Sequence, residues 1–289
     1  MFGFSSKKKF KDESEAVTAL MRISSMGFGS EQDFDKANML KVVNEVTEGF
    51  AADSKNPKLF YWLGIAWRNF TAWHVRGDER KEYLEKSVSY YDKALNLSRD
   101  TLPVQLPVDK RHNADYLDQI DIAGDLGDLL VNEALIRDLD RAEQVLQFVY
   151  ENTDEYEPCL CAYADLFYKK GDYQKCIEVA ETIQNRAVAH AEQEWNKMVR
   201  GEVSDLAKQT KTWDTTTQRY LEYKDYIKLH NWRDDAPPAP LGIRTMAYRA
   251  LGKQAKKDGR LAEAKQWFEK MQELGVASEN DLKILEKLK

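Results

Sequence analysis

Apolar residues recur along this chain at helical spacing. Phe60, Leu63, Gly64 and Trp67 fall at i, i+3, i+4 and i+7, and Leu160, Tyr163, Ala164 and Phe167 repeat the pattern. Leu126, Leu129 and Leu130 are followed by a second stripe, Leu139, Ala142, Leu146 and Val149. Tyr248, Leu251, Gly252 and Ala255 are followed by Leu261, Ala264, Phe268 and Met271. Start signals agree with these stripes. Asn56-Pro57 offers an N-cap with proline at the first helical position, and Ser278-Glu-Asn-Asp281 has the form of a capping box ahead of Leu282, Ile284, Leu285 and Leu288. The pattern predicts an all-α protein of short antiparallel helix pairs. Seven prolines and fourteen glycines in 289 residues are too few for a chain of many short strands and turns.

The stripes also repeat as units. Positions 126 and 160, and again 142 and 176, lie 34 residues apart. Tyr248, Leu251-Gly252, Ala255, the Gly259 turn, Ala264, Phe268 and Met271 make the clearest unit, and Leu160 to Phe167 with the turn Gly171-Asp172-Tyr173 the second. In this second unit Cys176 stands where alanine is usual and Ala180 where an aromatic is usual. These residues and the 34-residue period resemble the tetratricopeptide repeat (TPR) family.

The resemblance implies an α-α superhelix, a solenoid of antiparallel helix pairs with irregular insertions. A single array over 13–289 would follow a basic terminus, 1–12. Units are expected near 13–52, 57–97, 123–156, 157–190 and 245–274, with a capping helix over 278–288 that solvates and closes the end. The 57–97 unit carries Tyr91 and Ala94 on its second helix, about eleven residues later than the pattern allows, which predicts a first helix prolonged through Trp73. Leu63, Gly64, Trp67, Ala94, Ala142, Ala164, Cys176, Leu251, Gly252, Ala264 and Phe268 are the expected packing positions. Small residues let two helices cross closely while large ones fill the gaps beside them.

Two stretches depart from the pattern. Residues 99–111, with Pro103 and Pro107, predict an irregular linker. Residues 188–240 hold Trp195, Trp213, Tyr220, Tyr223, Tyr226 and Trp232 ahead of Ala236-Pro-Pro-Ala-Pro240. They are open to two readings, a degenerate repeat whose helices have drifted or an inserted element that contacts a partner.

Charge and chemistry narrow the function. A net charge of −6 argues against nucleic acid as a partner. The basic side chains Lys7, Lys8, Lys9 and Lys11 cluster among Phe2, Phe4 and Phe10, which fits either a solvated terminus or a weak contact with an anionic membrane. Glycine stands third rather than second, which excludes N-myristoylation. No stretch approaches the roughly 20 apolar residues of a membrane span. Three cysteines, Cys159, Cys161 and Cys176, suit a reducing compartment, and a cytoplasmic location is expected. A zinc site would need a fourth ligand, so buried structural thiols are the simpler expectation. The four histidines are scattered, and neither a Gly-rich phosphate loop nor a GxSxG elbow occurs. No metal, no cofactor and no catalytic residues are expected, and the chain is read as a non-enzyme.

In the TPR family the first helix of each pair lines a concave groove that binds peptides or partner helices. By position, that implies Tyr61, Ile65 and Arg68, then Val131, then Asp165 and Tyr168, and finally Arg249, Lys253 and Lys256. The last three suit an acidic segment of a partner or form a solvated basic face. Tyr61 and Ile65, or Arg249 and Lys253, stand where the family's chaperone-tail clamps carry lysine and asparagine, so that ligand is not expected. The expected function is a scaffold or adaptor for a protein or peptide. The alternative is a membrane-peripheral assembly or regulatory subunit docking through its basic N-terminus.

Overall fold

The computed structural model describes residues 10–26, 36–71, 75–107, 110, 116–199, 213–214, 219–220, 222–229, 231–233 and 236–288. Lys7 to Lys9, Phe34, Trp73, His74, His112 and His230, and the side chains of Trp213, Tyr220 and Tyr226, fall outside this set. Among the described residues the architecture is helical, and no helix is long and apolar enough to cross a membrane. The chain forms two compact units, residues 1–152 and 153–289.

The first unit contains α1 (Glu13–Met26), α2 (Lys36–Val46, continued by a π-helical turn, Thr47–Ala51), α3 (Pro57–Phe70), α4 (Gly77–Ser98), α5 (Gln119–Asn132) and α6 (Leu139–Asn152). Helices α3 and α4 pair, α5 and α6 pair, and α1 packs on α3. The core runs from Phe10 and Leu20 of the first segment through Leu59, Phe60, Leu63 and Phe70 of α3 to Ile122 of α5. Helix α3 starts as its sequence dictates: the Asn56 side chain accepts the Lys58 N–H at 3.0 Å, and Pro57 needs no donor partner. It stops at Phe70, short of Trp73. The Thr71 hydroxyl and N–H both bond to the Arg68 carbonyl, at 2.6 and 3.0 Å, and close the last turn. Part of the added length lies in α4, which begins at Gly77 and meets α3 through Tyr83, against Trp67 and Phe70, before reaching Tyr91. The 99–107 stretch is turns and bends, and α5 starts at Gln119 under a capping box formed by Asp118 and Asp121.

The second unit contains α7 (Leu160–Lys170), α8 (Tyr173–Val199), a two-residue antiparallel strand pair (β1, Trp213–Asp214; β2, Arg219–Tyr220), α9 (Tyr223–Leu229), α10 (Pro238–Lys257), α11 (Leu261–Glu273) and α12 (Glu279–Glu286). Gly171 closes α7 at φ 81°, a left-handed conformation that glycine adopts without strain. Helix α10 packs directly on α7 and α8. Trp195 of α8 meets the Tyr223 ring edge-on at 5.8 Å, and Trp232 joins them beside Ala191. Tyr220 lies in a strand, where a degenerate repeat would place helix. Helix α10 also begins earlier than the expected 245, because Pro238 and Pro240 occupy its first turn, where no N–H is required.

Three hairpins close through the same kind of contact. A Cβ added at Gly64 would sit 3.0 Å from the Tyr91 ring, at Gly252 2.9 Å from Phe268, and at Gly127 2.4 Å from Leu146. Ser87, fully buried, adds a hydrogen bond from its hydroxyl to the Gly64 carbonyl at 2.8 Å. Ala94, Ala142, Ala164, Cys176 and Ala264 are all fully buried, as are Leu63 and, nearly so, Trp67 and Phe268; Leu251 is half-buried.

These distances set opposite signs for two substitutions. Gly127→Ala gains helix propensity, at most about 1 kcal/mol, but drives a methyl into the fully buried Leu146, an overpacking cost of roughly 1–3 kcal/mol. Gly242 is exposed on α10 with nothing within 4 Å of an added Cβ, so Gly242→Ala keeps the propensity gain of about 0.5–1 kcal/mol. Urea denaturation should show Gly127→Ala destabilised and Gly242→Ala stabilised; the reverse order would refute the packing account.

Candidate functional site

A mixed polar and apolar surface of the first unit lies on α3 and α5. Between Gln119 and Val131, α5 is buried everywhere except at Asp121, Asp125 and Asp128, which form one half-buried stripe at i, i+4 and i+7. Helix α3 presents Tyr61, Trp62, Ile65 and Arg68 at matching exposure. The two stripes are tied together. The Tyr61 hydroxyl donates to Asp125 Oδ2 at 2.8 Å; Arg68 Nη2 donates to Asp128 Oδ2 at 2.6 Å, and its Nη1 lies 3.6 Å from Asp125 Oδ1.

Burial governs the ionisation of this cluster. Loss of solvent raises the Asp125 carboxyl above its ordinary value, against the pull of the Arg68 charge and the Tyr61 hydroxyl. Burial, reinforced by the Asp125 charge, pushes the Tyr61 phenol well up, and burial does the same to Tyr91. A pocket of about 250 Å³ opens beside these groups, lined by Ser24 of α1, Trp62, Ile65, Arg68 and Asn69 of α3, Tyr91 of α4 and Asp125 of α5. The Asn69 amide donates to the Ser24 carbonyl at 2.9 Å and pins the end of α1 over α3. Ser24 and Tyr91 are 1% and 0% exposed, and the charge and hydrogen bond of Arg68 partly offset the effect of burial on Tyr91.

Ile65 and Arg68 therefore line one pocket while Tyr61 does not, and Tyr61 and Arg68 are already engaged by α5. Val131, expected on a groove, is fully buried and presents no surface, because the exposed stripe of α5 belongs to its aspartates. Asp121, Asp125, Asp128, Trp62 and Ser24 were not singled out in the sequence. Three aspartates at i, i+4 and i+7 on an otherwise apolar helix are the signal that marks them.

In the second unit, Asp165 is paired with Lys169, and Tyr168 packs against Tyr173 with ring centroids 5.5 Å apart. Arg249 is committed to α12: its Nε and Nη2 bond to Asp281 at 3.0 and 2.8 Å, so it does not stand with Lys253 and Lys256 as a free basic cluster. Those two lysines are exposed on α10. Arg249 also lines a pocket of about 350 Å³ with Arg233, Leu241, Thr245 and Val276, where Arg233 is taken up by the Gly275 carbonyl. Cys159 and Cys161 are half-buried at the start of α7, and burial pushes the Cys176 thiol up to about 12. Among the described residues, no three or more histidine, cysteine or acidic side chains converge on a metal position. Comparison with models of known protein families and with curated proteins finds no match to this chain.

Asp281 gives the second unit a defined acid response. Burial at 2% exposure raises its carboxyl, but bonds from Arg249 and Ser278 and the Arg249 charge outweigh that and hold it at about 2. A carboxyl held below its unfolded value of about 3.9 stabilises the fold above pH ~4 and loses that contribution as pH falls toward 2; here it is of order 2 kcal/mol. Denaturation of the intact chain at pH 6 and pH 2.5 should show Arg249→Met destabilising strongly at the higher pH and about a third as much at the lower. An equal effect at both would remove Asp281 as the partner that matters.

Proposed function

We propose that the protein is a non-enzymatic scaffold of stacked helix hairpins, of the tetratricopeptide-repeat kind, that binds a partner protein or peptide on the exposed faces of its first helices. The observation that carries this reading is the recurring hairpin contact, in which Gly64, Gly127 and Gly252 each receive a large side chain from the following helix. A repeated helix pair buries one face against its neighbours and leaves a second face, on the first helix of each pair, with no task in the core. On α3 Ile65 fits that description, whereas Tyr61 and Trp62 beside it pack on the core and Arg68 is held by α5.

The polar chemistry supports binding over catalysis. Asp125 and Asp128 hold Arg68, Asp125 accepts from Tyr61, and Asp281 holds Arg249. These groups are spent on joining helices, and a nucleophile with an adjacent base is not among them. The basic run Lys7 to Lys9 lies outside the described residues, so the membrane-docking alternative rests on the sequence alone.

Affinity capture with the full chain, quantified by mass spectrometry, tests the proposal. Wild-type protein should recover a partner in near-stoichiometric amount. Charge reversal at exposed positions, Lys253→Glu with Lys256→Glu, or a Ile65→Lys change on α3, should reduce recovery by about ten-fold for whichever face is used. Equal recovery by all three proteins would reject binding through the first helices.

A further inference from the structure

The pocket of the second unit is built from three stretches of chain: residues around Asn231 and Arg233, the first half of α10, and the Gly275–Ala277 turn between α11 and α12. At about 350 Å³ it falls within the roughly 300–1,000 Å³ of sites that take small molecules. Its wall combines carbon, from Leu241, Met246 and Val276, with two arginines, Arg233 and Arg249. The start of α10 borders it as well, but Pro238 and Pro240 carry no N–H, so the arginines are its main donors rather than the helix end.

Among the described residues that line this pocket, none is acidic. The charge of Arg249 is balanced from behind by Asp281, which it bonds through Nε and Nη2, while its Nη1 makes no bond among the described residues. Arg233 is in a different position. Its Nη1 donates to the Gly275 carbonyl, an acceptor without net charge, and among the described residues no carboxylate pairs with it. A guanidinium stays charged at neutral pH and carries five N–H donors, of which one carbonyl takes one. One unbalanced positive charge and several open donors thus stand beside an apolar surface.

We propose that this pocket binds a small organic acid, its carboxylate held by Arg233 and Arg249 and its short apolar body set against Leu241, Met246 and Val276. A single unbalanced charge suits a monoanion, and a carboxylate is the planar acceptor that a guanidinium fork matches. None of Ile65, Lys253 and Lys256 lines the pocket, so the site does not depend on the scaffold reading and either can fail without the other.

Ligand-observed NMR on the full chain tests this with 4-methylpentanoate, its uncharged match 4-methylpentanamide, and inorganic phosphate as a competitor that has charge but no carbon. The acid should bind with a dissociation constant of about 1 mM or tighter, the amide about ten-fold more weakly, and phosphate should displace the acid poorly. Arg233→Gln should cost the acid about ten-fold and leave the amide unchanged. Because that change also removes the bond to Gly275, a second pair of variants separates charge from folding. Gly242 lines the pocket with nothing within 4 Å of an added Cβ, so Gly242→Glu and Gly242→Gln are both accommodated. The glutamate should weaken the acid about ten-fold more than the glutamine, since it places a competing carboxylate where the glutamine places a neutral group of the same size. No binding of the acid, equal binding of the amide, displacement by phosphate on equal terms, or equal effects of the two Gly242 variants would each overturn the proposal.

Discussion

Close approach of paired helices through a missing side chain is the constraint on which the rest of the structure depends. At Gly127 there is no room for even a methyl group, and at Gly64 and Gly252 there is barely room. Each glycine costs helix propensity, and the large residue opposite returns it by filling the space against backbone. Because Tyr91, Leu146 and Phe268 are anchored this way, their helices have a fixed register against α3, α5 and α10. The surface stripes then follow from that register.

Polar ties sit where packing alone leaves helices free to slide. Tyr61 and Arg68 join α3 to α5, Glu181 on α8 receives Tyr248 of α10 at 3.1 Å and Arg244 at 3.4 Å, and Arg249 joins α10 to α12. In each case the acid lies on one helix and its donors on another. Asp281 does two things at once, since it both completes the Ser278 cap and holds Arg249. The start of α12 and its attachment are therefore a single event.

The helical pairing was legible because the packing positions are apolar at helical spacing, and Gly64, Gly252 and the Ser278 box stand where residue type alone points to them. Gly127 was hidden among leucines: Leu126, Leu129 and Leu130 made the stripe, and its small member drew no notice. Ser87 escaped because a serine mid-helix reads as solvent-facing, whereas here its hydroxyl turns to a carbonyl across the hairpin. The ends of α3 and α10 were displaced for local reasons, a threonine bonding back to its own helix and prolines tolerated in a first turn. For the candidate site, Tyr61, Ile65 and Arg68 were placed by analogy of position. Their partners on α5 were missed because hydrogen bonding and ion pairing across 57 to 64 residues of sequence have no periodic trace.

The contact of α10 with α7 and α8 has one more implication. It anchors both ends of the connection from α8 to α10 in one packed unit. Closing a longer connection between anchored ends costs only about 0.6 kcal/mol per doubling of length. Extra residues inserted there are therefore cheap, whereas a single methyl at a hairpin crossing such as Gly127 is not.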